Sequence, residues 1–109
     1  MPCPEVKTGH VEIPGEDYTR IQHSADAGRN LWRLDPIRTA QVVGSQSLGF
    51  RPNDVYTFVE RYRDPGSGLQ HAIVRVQHGP CRYVVTLYQP VRQGPRGIWV
   101  MHFVDDVTT

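Results

Sequence analysis

The spacing of turn signals after residue 50 constrains this chain more than anything else in it. Four segments rich in β-branched and aromatic residues cover about 55–63, 70–77, 82–89 and 98–104. They are split by Asp64-Pro65-Gly66-Ser67-Gly68, by Gly79-Pro80 and by the loop 90–97. Pro and Gly at these places favour turns over extended pairing. Connections this short can join only antiparallel neighbours, because a parallel return needs a crossover of roughly a dozen residues or more. The second half is therefore predicted to be a four-stranded antiparallel meander. Strict alternation assigns its faces. In the first segment, Tyr56, Phe58, Glu60 and Tyr62 share one face, with Val55, Thr57, Val59 and Arg61 on the other. In the second, Ala72, Val74 and Val76 oppose His71, Arg75 and Gln77. In the third, Tyr83, Val85 and Leu87 oppose Arg82, Val84, Thr86 and Tyr88. In the fourth, Trp99, Met101 and Phe103 oppose Ile98, Val100 and His102.

A sheet with apolar residues on a face needs a cover. One strong helix signal precedes the strands. Asp35 can cap the start by accepting from the first free backbone N–H groups, and Pro36 fits the first helical position. Ile37, Ala40, Val43, Gly44 and Leu48 recur at helical spacing. Gly44 suits close approach, and Gly49 can adopt the left-handed conformation that stops a helix, with Phe50 folding back on Gly44 or Ser45. The expected fold is α+β: one main helix over about 36–48, packed on the four-stranded sheet. Trp32 and Trp99 are expected as core anchors. Residues 1–31 are expected to be an N-terminal arm. Within it, His10-Val11-Glu12-Ile13 alternates like a short edge strand, and 16–29 can hold a helical turn or lie extended. The single domain spans 32–104, followed by a tail, 105–109, that carries Asp105 and Asp106.

With 109 residues the chain is one domain, long enough to bury a core without staples. It has no apolar run near the ~20 residues of a membrane helix, and no basic start followed by an apolar stretch of the signal-peptide kind. As written it is expected to be cytoplasmic; if an export segment has been removed, it is extracytoplasmic. Cys3 and Cys81 admit three readings: unrelated thiols, a disulfide in an exported chain, or lipid attachment at Cys3. The formal net charge of +1 argues against a strongly polyanionic partner. Residues 51–104 are more basic, with seven Arg against three acidic residues.

Candidate chemistry is sparse. His10, His23, His71, His78 and His102 form no HxH or HxxxH pair, so no metal ligand set is expected and the five are read as mostly exposed. There is no GxSxG elbow. Cys81 with His78 is a weak nucleophile arrangement beside the simpler reading of a half-buried turn cysteine. Gly66-Ser67-Gly68 sits in a hairpin rather than before a helix, so it is no phosphate cradle. Glu60 stands between Phe58 and Tyr62, where desolvation can raise a carboxyl pKa, or it can pair with Arg75 on the next strand. Arg61, Arg63, Arg75 and Arg82 with Tyr88 can form a basic stacking surface for single-stranded nucleic acid, but no RNP-like motif accompanies them, so this reading ranks behind the others.

Two stretches carry a resemblance. Trp32-Arg33-Leu34-Asp35-Pro36 followed by Thr39-Ala40, and Gln89-Pro90 followed by Gly97-Ile98-Trp99-Val100, resemble small uncharacterised domains of bacterial, often exported or lipid-anchored, proteins. A helix followed by a curved meander ending in Gly-x-Trp-x-Val is also similar to cystatin-like and NTF2-like folds. The matching motifs are structural and name no active site. The function expected is a non-catalytic binding or accessory domain. It would associate with itself or another protein through the sheet face the helix leaves open, at Val59, Val84, Tyr88 and Val100. One alternative is a small-ligand or hydrolytic domain using Glu60, His102 and Arg75 around a pocket between helix and sheet; another is a weak single-stranded nucleic-acid binder using the Arg-bearing sheet face. No catalytic residue, metal or cofactor is assigned.

Overall fold

A computed structural model describes residues 6–108. The sheet has five antiparallel strands in the order β1-β5-β4-β3-β2. They are β1 (Gly9–His10), β2 (Val55–Arg63), β3 (Gln70–His78), β4 (Cys81–Tyr88) and β5 (Val100–Asp106). Two helices accompany it: α1 (Tyr18–Asp26), and α2 (Pro36–Val43), which continues through one π turn, Gly44–Leu48. A 3-10 turn, Leu31–Leu34, joins them. The expectation of one helix on a four-stranded sheet is thus corrected to two helices on five strands. The predicted meander forms its last four strands, and the expected 36–48 helix is present. The last strand starts and ends two residues later than expected, so Asp105 and Asp106 belong to it.

The α2 start is built as its sequence implies. The Asp35 side chain accepts from the backbone N–H of Ile37 at 2.9 Å and of Arg38 at 3.5 Å, and Pro36 stands at the first position. Gly49 takes a φ of 98° and ends the helix, while the Phe50 N–H donates to Gly44 O at 3.1 Å. Ala40, Val43 and Leu48 then bury against Ala72, Val74, Val76, Tyr83, Val85, Leu87, Trp99 and Met101. We call this covered side the inner face.

The second helix was missed because its apolar content is low. Asp17 caps it, accepting from Arg20 N–H at 3.1 Å. Tyr18, Ile21 and Ala25 lie three and four apart and form a second, smaller core with Leu34, Ile98, Val100 and Tyr88. Leu87 belongs to the first core and Tyr88 to the second, and alternate strand residues point to opposite sides. The two helices therefore lie on opposite faces, with α1 over one end of the outer face. Buried Gln22 fixes it there. Its Oε1 accepts from Ile98 N–H at 3.0 Å, and its Nε2 donates to Arg96 O at 2.9 Å and to Asp26 Oδ1 at 3.1 Å.

Two bulges correct the strand faces. Register shifts between Phe58 and Glu60 in the β2–β3 pairing. Phe58 still pairs with inner Val74, but Glu60 and Tyr62 pair with Ile73 and His71, which are outer. A second shift, between Thr86 and Leu87, pairs Met101 with inner Leu87 and Phe103 with outer Thr86. An extra residue reverses the alternation beyond it. Phe103 is therefore outer and exposed, and Val104 takes its place in the core.

Candidate functional site

The outer face is the open surface of the sheet. Its register sets out four rows. The row beside α1 is Tyr62, His71, Tyr88 and Val100. The next is Glu60, Ile73, Thr86, Phe103 and, on the short edge strand, His10. The third is Thr57, Arg75, Val84 and Asp105, and the last is Val55, Gln77 and Arg82.

Aromatic and imidazole rings gather in the first row. His71 and Tyr88 stack with centroids 5.8 Å apart, and Tyr62 lies 5.3 Å from His71 on the other side. The His102 ring meets His71 at 5.9 Å, Tyr88 at 5.3 Å and His10 at 5.4 Å, each edge to face. His71 Nδ1 lies 3.0 Å from the carbonyl of Leu69, so that nitrogen donates and Nε2 is the ring's free acceptor when neutral. Burial, with His10 and His71 close by, holds His102 below the ordinary histidine value of 6.5, against a smaller opposing pull from Asp64. Tyr18 reaches in from α1 to hydrogen-bond Tyr88; its phenol is pushed up to about 12, mainly by burial. Beneath them, Arg33 and Glu16 pair at 2.6 Å with little exposure. No group of three His, Cys, Asp or Glu among the described residues has the geometry to hold a metal ion.

The sequence-derived residues fall as follows. Glu60, Arg75 and Val84 are on the open face, Glu60 opposite Ile73 and making no ion pair with Arg75. His102 belongs to the ring cluster. Val59 is the β2 bulge residue and is 42% exposed. Tyr88 is half-buried, and Val100 is fully buried in the α1 core, so neither is free as Val59 is. The space between α2 and the sheet is filled by Val43, Leu48 and Trp99 rather than forming a pocket. The four arginines do not share a face. Arg61 pairs with inner Ala72 and lies 5.4 Å over the Trp99 ring, while Arg75 and Arg82 are outer.

Sequence reasoning missed two buried histidines. His71 is only 8% exposed, and His78 is buried with Nδ1 2.6 Å from Asp54 Oδ2. Asp54 also accepts from Arg51 N–H at 2.8 Å, so this pair ties the start of β2 to the end of β3. Only its strand-end position hinted at it. Cys81 is buried and disulfide-bonded, which removes it as a nucleophile; Cys3 lies outside the described residues. Two cavities are lined by other elements, the second also by His10. One, of about 600 Å³, is lined by Ala25, Asp26, Leu34, Arg92 and Arg96. There Arg92 forks onto Asp26 at 2.6 and 3.0 Å, so the two charges satisfy each other. The other, of about 350 Å³, runs between residues 7–14 and the π turn.

No protein-family model matches the chain, and no curated protein or solved structure does either. No helix among the described residues is long and apolar enough to cross a membrane.

Proposed function

We propose that this chain is a non-catalytic binding domain that associates with itself through the open face of its sheet. One observation carries the reading. α1 covers only the Tyr88–Val100 end, and beyond it Ile73, Val84 and Phe103 remain in solvent contact, Phe103 at 42% exposure. Open sheet faces are usually polar, and a contiguous apolar strip on one marks a docking surface. The candidate acid and bases support this class over catalysis. Glu60 and Arg75 stand apart on a flat surface, and His102 packs among rings rather than facing a cavity.

The size of the face sets the strength expected. Four long strands ~4.8 Å apart, each seven to nine residues long at ~3.3 Å per residue, span on the order of 500 Å². A standard interface takes ~800 Å² from each partner, so this face is at the small end and association should be weak and concentration-dependent. A disulfide at Cys81 suits an oxidising compartment, which favours an extracytoplasmic site of action.

Light scattering or sedimentation over a concentration series tests this. Mass should climb toward twice the monomer as protein rises to about 1 mM. Ile73→Arg should hold it at the monomer without lowering the melting temperature. A monomer throughout refutes the reading.

A further inference from the structure

The geometry points to the cavity between the end of α1 and the loop 90–97 as a binding site for a small monocarboxylate with an apolar tail, held by the Arg96 guanidinium. The cavity measures about 600 Å³, within the ~300–1,000 Å³ usual for small-ligand pockets. Three segments wall it: Ala25 and Asp26 from the last turn of α1, Leu34 from the 3-10 turn, and Arg92 and Arg96 from the loop. None of these residues belongs to the four rows of the open face. The site therefore stands whether or not the chain associates with itself.

Its walls are formed in advance. A hairpin between β4 and β5 needs only ~2–5 connecting residues, yet residues 89–99 separate them. The extra length is pinned rather than loose. Gln89 is fully buried; its Nε2 donates to Gly94 O at 2.7 Å and to Gly97 O at 3.0 Å, and its Oε1 accepts from Gly94 N–H at 2.8 Å. Buried Gln22 holds Arg96 O from the α1 side at 2.9 Å. Gln93 ties the loop to β3, accepting from Gln70 N–H at 2.6 Å. A methyl at Gly97 would run into the Arg92 carbonyl, so the loop closes only over glycine. Burying two side-chain amides to fix one loop is costly unless every bond is made, and here the bonds are made. Rigid walls leave little ordering to be done when a ligand enters, which is what lets a small ligand bind.

Charge selects the ligand. Arg92 and Asp26 satisfy each other, which leaves Arg96. Its guanidinium makes no hydrogen bond or ion pair among the described residues. Two positive side chains against one negative give the lining a net charge of +1. A monoanion balances it, whereas a dianion sets its second charge against the Asp26 carboxylate. A planar carboxylate matches the guanidinium fork with two parallel N–H···O bonds. A cation finds no open partner, because Arg92 and Gln22 already engage Asp26. Ala25 and Leu34 supply the apolar lining against which a short hydrocarbon tail can rest.

Titration of the ¹⁵N-labelled chain with sodium hexanoate, followed by NMR, tests the site. Saturable shifts should appear at the amides of Ala25, Asp26, Leu34, Arg92 and Arg96. Hexan-1-ol and hexylammonium have the same tail without the carboxylate and should bind at least about tenfold more weakly. Acetate has the carboxylate without the tail and should be weaker by at least about tenfold as well. Arg96→Gln removes the fork and should weaken hexanoate by about 10- to 100-fold. Arg96→Lys keeps the charge without the fork and should fall between Arg96→Gln and the parent. Arg96 is exposed, so both variants should melt at the parent temperature. The assignment is overturned if no shift saturates, or if Arg96→Gln binds hexanoate as the parent does. It is equally overturned if hexan-1-ol or acetate matches hexanoate, or if the shifts fall on Ile73, Val84 and Phe103 instead.

Discussion

Gln22→Ala tests whether α1 is an integral part of the domain. Its side chain is almost wholly buried and makes three hydrogen bonds, the most consequential being the one from Ile98 N–H at 3.0 Å. Ile98 is fully buried, so water cannot replace the lost acceptor. An unsatisfied buried N–H costs ~1–3 kcal/mol. Arg96 is exposed, so its carbonyl can turn to solvent, and losing that bond should cost only ~0.5–1 kcal/mol. One methylene, Cγ, also leaves a buried site, at ~0.8 kcal/mol. Against these losses, the shorter side chain has less rotamer entropy to surrender, a gain of ~1.5 kcal/mol, and alanine favours the helix by a few tenths. The net expectation is a destabilisation of about 1–3 kcal/mol, or roughly 4–12 °C in Tm for a domain of this size. Urea unfolding gives the midpoint, and hydrogen exchange at the Ile98 amide gives the local effect; exchange there should accelerate. Gln22→Met keeps most of the volume and side-chain entropy while removing the hydrogen bonds, and should retain most of the loss. A change below about 0.5 kcal/mol, with Ile98 exchange unaltered, would refute both the bond and the docking of α1.

Three further outcomes follow from the same geometry. Asp35→Ala removes the acceptor for Ile37 and Arg38 N–H and should cost about 1 kcal/mol in denaturant unfolding; no loss would show that Asp35 is not the cap. Gly44→Ala adds a methyl that would sit 2.7 Å from Cδ2 of Phe50, so it should destabilise by about 1–3 kcal/mol despite alanine's better helix propensity; a stabilised variant would place the Phe50 ring elsewhere. Because His102 binds its proton less readily in the folded chain than in the unfolded one, stability should fall as pH drops below about 6.5. His102→Phe should flatten the slope of urea midpoint against pH between about 7.5 and 5.5, and an unchanged slope would clear His102 of any part in it.

The legible parts of this fold were those where local chemistry and burial agree. Asp35-Pro36 at one end and Gly49-Phe50 at the other bracket a stripe of apolar residues, and the helix between them formed as read. β2 matches its expected bounds, β3 runs one residue longer, and β4 is shifted by one residue at both ends. α1 was hidden because a polar residue stands in its buried stripe. Between Tyr18, Ile21 and Ala25 the fourth inward position is Gln22, whose burial is tolerable only because Ile98 and Arg96 supply partners 74 to 76 residues away. Its cap, Asp17, and its three-and-four spacing were present in the sequence, and mean hydropathy concealed them. The bulges were illegible for a related reason. Val59 and His102 look like ordinary members of an alternating run, and only the neighbouring strand decides that the alternation must slip there. The ring cluster shares this origin, since His10, His71 and His102 come from three strands far apart in sequence.

Those two slips give the open face its character. Without the β2 bulge, Glu60 and Tyr62 would point to the other side, the one Arg61 now occupies. Without the β5 bulge, Phe103 would point inward and Val104 outward. The outer face would then lack both the acid at its β2 edge and the aromatic beside β1. Bulges are costly to a ladder because they leave a residue unpaired, and they are found where a side chain has to be re-aimed. Here both occur on strands flanking β3 and β4, and both send residues to the same surface. A face assembled this way, partly apolar and with unmatched charges on either side of β4, has features that folding alone does not require. The inner core is covered by α2, with Val11, Ile13 and Trp32 packed beside it, and α1 is anchored at the Tyr88–Val100 end. The rows beyond that end are where selection for an interaction, rather than for stability, should be sought.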